Sequence, residues 1–209
     1  MNTLTKKHTY ATDKKAAVDL GLSENPLGAS PHVIDAITHT AKTSHIYPIS
    51  EKQLISKLAE YHGISEDSIL LGAGANELLE DYLKVFAIRK SVVVPTASFP
   101  ESVTCVKTLQ GCVRSVPLNS NFTLNIKGLL SACKNDTALI HLCNPNNPTG
   151  IWTDRDLIYK LADTSPVPLL ISEAGADYVG KTMIDNQYLH PNIIIVRSLS
   201  IDKPQTSAI

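Results

Sequence analysis

No stretch of this chain approaches the ~20 consecutive apolar residues that span a bilayer. Its first residues, MNTLTKKHTYATDKKAAVDLGL, lack the apolar segment of a secretory leader. The expected location is therefore the cytoplasm, with no membrane contact. A basic excess is missing too: formal charge is −1 and the pI about 6.6, so nothing marks a surface for nucleic acid or anionic lipid. A small molecule or another protein is the expected partner. Cysteine is sparse and scattered at 105, 112, 133 and 143, with no C-x-x-C pair and no histidine at metal-ligand spacing. That excludes a zinc module and reads as reduced thiols. Internal repeats and low-complexity tracts are absent as well.

What is present is 209 residues with 43% hydrophobic content, enough for one sizeable core. Short β-branched runs alternate with helical periodicity, the pattern of an α/β chain with a mostly parallel sheet between two helical layers. Ser30-Pro31 predicts a capped helix whose apolar face is Val33, Ile34, Ile37 and Ala41. A second helix is predicted from about Glu51 to a stop at Gly63. The predicted strands are 68–71, 91–94, 113–118, 138–142, 168–172 and 192–198. Helices at 76–86, 98–109, 126–133 and 154–163 fit between them, and right-handed crossovers then give a doubly wound sheet.

Two stretches point to ligand chemistry. In ILLGAGANELLEDYLKVF, residues 69–86, a strand signal opens through Gly72-Ala73-Gly74 into an amphipathic helix. Free N–H groups at a helix start, with the helix dipole, favour a phosphate. A dinucleotide fingerprint would need a third glycine where Glu77 stands, and no ribose-binding acid follows near position 92, so a nicotinamide enzyme ranks last. The second stretch is NPNNPTG, residues 144–150. Pro145 and Pro148 lack an N–H and push Asn144 and Asn147 out of the α region. The result is a stiff turn at a strand end, where α/β proteins place groups that touch a ligand. From these residues alone, a plain tight turn explains each stretch equally well.

Taken together, ENPLGASP, IYP, GAGANELLE, VVVPTASFPES, CNPNNPTG and IVRSLS, in this order between Leu20 and Ser200, resemble the pyridoxal-phosphate-dependent aminotransferases of class I/II. The histidinol-phosphate aminotransferase branch is the nearest in appearance, with threonine-phosphate decarboxylases next. The resemblance implies a three-layer, pyridoxal-phosphate-transferase-like large domain over 20–200, preceded by an arm at 1–19 and followed by a tail at 201–209. It implies that the fold is incomplete at the C-terminus, since the family's small C-terminal domain is absent. The cofactor implied is pyridoxal 5'-phosphate. By the same resemblance Ala75 and Asn76 offer N–H groups to its phosphate, Ser198 and Ser200 help hold that phosphate, and Asn147 bonds the ring 3'-oxygen. Tyr47 reaches a partner's phosphate across a homodimer interface, and Asn25 lies near the substrate.

The pattern then departs from the family where its chemistry is done. The family's Asp-x-Ala-Tyr reads Ser172-Glu173-Ala174-Gly175 here. Serine supplies no carboxylate to keep the pyridine nitrogen protonated, and Gly175 removes a phenol. Glu173 is expected to face away, because adjacent strand residues point to opposite faces. The lysine that holds the cofactor covalently and moves the proton is replaced by Ile201, which has no nucleophilic nitrogen. Lys203 is the nearest substitute in sequence. The family's stacking aromatic is Ala97 here, with Phe99 close by. No catalytic position is therefore intact, and a covalently attached cofactor is not expected. Three readings follow: an impaired relative of the enzymes that move an amino group between histidinol phosphate and a 2-oxo acid; a non-catalytic remnant that binds the cofactor or pairs with a full-length relative; and a threonine-phosphate-decarboxylase-like enzyme.

Overall fold

The computed structural model describes residues 27–47, 51–185 and 188–199. Asn25, Ser200, Ile201 and Lys203 lie outside the described residues, as do the proposed arm and tail.

Five parallel strands form one sheet in the order β2-β1-β3-β4-β5: β1 Ser91–Pro95, β2 Cys112–Val116, β3 Thr137–Cys143, β4 Leu169–Ser172 and β5 Ile193–Val196. β1 is flanked by β2 on one side and β3 on the other, so the chain reverses its direction of travel there. A crevice opens at the carboxyl ends of strands where such a reversal occurs. Successive side chains of each strand feed opposite faces. Val93, Ile140, Leu142, Leu169 and Ile171 pack under α5 (Ile126–Ala132) and α6 (Arg155–Thr164). Val92, Val94, Leu139 and Leu170 pack under α3 (Ala75–Phe86) and α4 (Glu101–Thr108). Because both faces are covered, the central strands are largely apolar rather than alternating.

Helix ends follow local chemistry. Ser30 accepts from the Val33 N–H at 3.3 Å at the start of α1 (Pro31–Ala41). α2 (Lys52–His62) stops at Gly63, whose φ of 66° is open to glycine at little cost. α4 starts three residues later than periodicity suggests, because Pro100 disfavours α geometry at Phe99 and takes the cap position itself. A short helix, α7 (Ala176–Val179), stands after β4 where the sequence predicts none.

Two expectations are corrected. Residues 68–71 are not a strand: Glu66–Ser68 is a 3-10 turn, and Ile69 continues with extended φ/ψ but pairs with nothing in the sheet. A strand persists only where a neighbour satisfies its backbone groups, and the space beside 69–71 is a groove. The apolar face predicted for α1 exists in sequence but is uncovered: no α1 residue is buried, and Ile37 is 63% exposed.

Candidate cofactor site

A cavity of about 540 Å³ lies at the carboxyl ends of the strands, on the α3 side of the sheet. α3 supplies one wall. Gly74 precedes the helix with φ 92° and no side chain caps it, while Ala73, Gly74, Ala75 and Asn76 line the cavity. A Cβ built on Gly74 would meet nothing within 4 Å, so its face is open to a ligand. The first-turn N–H groups of a helix have no intrahelical acceptor. One nearby donor is already used: the Ala73 N–H donates to the Glu77 carboxylate. Ala75 and Asn76 are thus placed as the sequence predicts, at the mouth of a helix start.

The NPNNPTG turn makes the opposite wall, and its three asparagines divide the work. Asn144 is buried and exchanges hydrogen bonds with Thr153, donating to its carbonyl at 2.9 Å and accepting from its N–H at 2.7 Å. Asn146 is buried as well and donates to the Ala97 carbonyl and to Thr149 Oγ1, both at 2.9 Å. Asn147 is the exposed one, and it lines the cavity. The turn is therefore held by two amides and presents a third.

The floor comes from β3, β4 and the residue pair after β5. Cys143, Ser172 and Ser198 all line the cavity. Burial raises the Cys143 thiol above its ordinary value. Glu173 points the other way, as strand alternation requires. Its carboxylate is fully buried and accepts from Thr182 Oγ1 at 2.7 Å and from the Met183 N–H. Arg197 completes this cluster, 3.4 Å from Glu173 and 2.7 Å from Asp177. Burial raises the Glu173 carboxyl, with Thr182, Met183 and Arg197 opposing. The cluster ties β4, α7 and β5 together one residue away from Ser172, Tyr178 and Ser198, and so fixes where those three face.

Two lining residues were missed or left open by sequence reasoning. Tyr178 lines the cavity from α7, three residues after Gly175; helical i,i+3 spacing would have found it had α7 been foreseen. Phe99, two residues after the Ala97 that replaces the family's aromatic, also lines the cavity. At Gly175 a Cβ would come within 3.2 Å of the Pro145 ring. The position that carries tyrosine in the family pattern is thus close to the turn, and a side chain there would need the Pro145 ring to give by a few tenths of an ångström. Tyr47 is 87% exposed and does not line the cavity in the single chain.

Among its described lining residues the cavity holds no lysine, arginine, histidine or carboxylate. It offers helix-start N–H groups, hydroxyls, the amides of Asn76, Asn146 and Asn147, and the rings of Phe99 and Tyr178. Such a donor set suits a phosphate joined to a flat, hydrogen-bonding ring. No group of histidine, cysteine, aspartate and glutamate among the described residues could hold a metal ion. None of the described helices is long and apolar enough to cross a membrane.

The profile of the aminotransferase class I and II family matches residues 15–202. A histidinol-phosphate aminotransferase of Dehalococcoides mccartyi is 33% identical over 191 residues, which cover 90% of this chain and 52% of that one. One from Methanococcoides burtonii is 30% identical over 194 residues, 91% of this chain and 54% of that one. Among solved structures, the histidinol-phosphate aminotransferase of Sinorhizobium meliloti in complex with pyridoxal-5'-phosphate superposes with a TM-score of 0.77 at 26% identity, covering 86% of this chain and 50% of that one. An L-threonine-O-3-phosphate decarboxylase from Porphyromonas gingivalis, at 19% identity and a TM-score of 0.67, shares the fold. The chain spans about half the length of the curated relatives it matches.

Proposed function

The chain belongs to the class I and II aminotransferases, and on that premise we propose that it holds pyridoxal phosphate without a covalent bond and does not itself carry amino transfer. The observation that carries this reading is the cavity's donor set, which has what a phosphate and a ring need and no charged group among its described residues. The Ala75 and Asn76 N–H groups would hold the phosphate, with Ser198, and Ser200 by resemblance, adding hydroxyls. Asn147 would donate its amide to the ring 3'-oxygen, and Phe99 would cover a ring face in place of the absent aromatic. Tyr178 brings a phenol to the space where Gly175 has none.

Bound pyridoxal phosphate supplies an aldehyde and an electron-withdrawing ring. In the family pattern, using them takes a carboxylate at the ring nitrogen and an amine at the aldehyde. Ser172 stands at the first position and Ile201 at the second. Glu173 cannot substitute, because its carboxylate is committed to Thr182, Met183 and Arg197 on the far side of β4. Similarity to histidinol-phosphate aminotransferases favours amino transfer between a histidinol-phosphate-type amine and a 2-oxo acid as the ancestral activity. By resemblance Tyr47, exposed and not among the cavity's lining residues, would serve a second copy of the chain in a homodimer.

The test is an absorbance titration with pyridoxal phosphate, followed by borohydride reduction and peptide mapping. Saturable binding with the spectrum of the free aldehyde and no single reduced site is the expected result. One reproducible adduct, on Lys203 for example, would show that a substitute amine operates and would overturn the non-covalent reading.

A further inference from the structure

Ser172 ends β4 at the floor of the cavity, and the sheet fixes what surrounds it. In the parallel registers its neighbours are Cys143 of β3 on one side and Val196 of β5 on the other. All three are nearly dry, at 9%, 6% and 5% exposure. One neighbour is apolar and the other is a thiol that burial pushes above its ordinary value. His141, two residues before Cys143 on the same face of the sheet, is buried and uncharged at neutral pH. The Ser172 hydroxyl itself has no hydrogen-bond partner among the described residues. The Ser98 and Ser102 hydroxyls are unpartnered too, but they are sealed from solvent, whereas Ser172 lines the cavity.

The charged groups around this floor are engaged elsewhere or stand outside the cavity lining. Glu173 points to the opposite face, where Thr182, Met183 and Arg197 hold it. Arg197 and Asp177 bond each other there at 2.7 Å. On α3, the Glu77 carboxylate accepts from the Ala73 N–H. On α4, Glu101 is near enough to act on Cys143 but is not among the lining residues. The start of α3 turns the positive end of its dipole toward the cavity.

We infer that Ser172 binds the ligand ring and sets its protonation state: its hydroxyl donates to the pyridine nitrogen of pyridoxal phosphate, and the site holds that nitrogen without a proton. The inference deepens the cofactor reading above and rests on it, since position 172 faces the ring nitrogen by resemblance. A pyridine nitrogen accepts a hydrogen bond when neutral and is a cationic donor when protonated. A hydroxyl can meet either form, because it both donates and accepts. The surroundings decide between them. Removal from water disfavours the charged form, and only an opposing charge offsets that. A pyridinium here would rest on a dry floor between a thiol and a valine, without a counter-ion, and the start of α3 would repel it. The neutral ring meets none of these costs, so the hydroxyl turns to donate. Such a ring withdraws electrons more weakly than a pyridinium, which agrees with a chain that holds the group and does not turn it over.

Pyridoxal phosphate labelled with nitrogen-15 in the ring is the probe. It is bound to the full chain, and its NMR signal is followed from weakly alkaline to weakly acid solution, where the free ligand takes up a proton at that nitrogen. The expected result is a bound signal that stays at the unprotonated position while the free ligand's moves. Ser172→Asp, which supplies a carboxylate at this position, should bring the bound signal to the protonated position. Ser172→Ala should weaken pyridoxal phosphate binding about tenfold, the worth of one hydrogen bond, and leave inorganic phosphate binding unchanged. The signal on the unmodified chain decides the matter even if a variant fails to fold. A bound nitrogen that carries a proton would overturn the inference and leave cofactor binding in place. So would an unchanged affinity in Ser172→Ala, or an equal loss of both ligands. Absence of any bound signal would overturn the cofactor reading and this inference together.

Discussion

His141 sits in the middle of β3, 1% exposed, on the face covered by α3 and α4. Its Nε2 has no hydrogen-bond partner among the described residues, and burial pushes its pKa down to about 4. The folded state therefore holds a neutral imidazole while the unfolded chain takes up a proton near pH 6.5. A depressed basic group costs stability as pH falls from about 6.5 through 4, and the full effect is roughly 3 kcal/mol. Urea unfolding across that range should show the loss, and His141→Leu should flatten most of the slope. His62, lowered by burial and by the Arg197 charge, keeps a smaller slope of the same sign. A variant with an unchanged slope would mean that His141 is hydrated in the folded protein. None of this is visible in ALIHL, where a histidine reads as one more strand residue. Only packing under two helices makes it a liability in acid.

Between β4, α7 and β5, one ion cluster sets the positions of three elements. Arg197 reaches Asp177 at 2.7 Å, Thr182 Oγ1 at 2.9 Å and Glu173 at 3.4 Å. Arg197→Met leaves the buried Glu173 carboxylate without its cation, a change that costs about 3 kcal/mol. Denaturant unfolding should register that loss, and the double variant Arg197→Met/Glu173→Gln should recover part of it. Additive losses in the double variant would mean the two groups are not coupled. The sequence made strand alternation legible, and with it the direction of Glu173. It did not reveal α7, because ADYV is too short for helical periodicity to register. For the same reason Tyr178 went unnoticed. Residues 68–71 misled in the opposite direction: SILL has strand composition, but a strand needs a partner, and here the neighbouring space is a trough.

At the scale of the whole molecule, a ligand that binds only the folded chain raises its stability by mass action. Pyridoxal phosphate at 100 times its dissociation constant should add about 2.7 kcal/mol, or roughly 5–10 °C in the unfolding midpoint for a chain of this size. Thermal scans with pyridoxal phosphate and with inorganic phosphate separate the two ends of the cavity. Phosphate alone engages the start of α3 and the Ser198 hydroxyl and should give a smaller rise. Equal rises would mean that the Asn147 and Phe99 end contributes nothing.

Sequence alone determined the family, the parallel α/β architecture, the helix start at Ala75 and the stiff turn that presents Asn147. Each of these is written in local signals: glycine and proline placement, alternating apolar runs, and motifs in a fixed order. It also fixed the losses at positions 172, 175 and 201, because no fold can give serine a carboxylate or isoleucine an amine. Tertiary structure decided the rest. The sheet brings residues from 73 to 198 around one cavity, turns Glu173 into an ion cluster behind it, and exposes the edge of β5 to an apolar trough. Those outcomes depend on which distant segments pack together and which strand lacks a neighbour, and no local stretch of the chain carries that information.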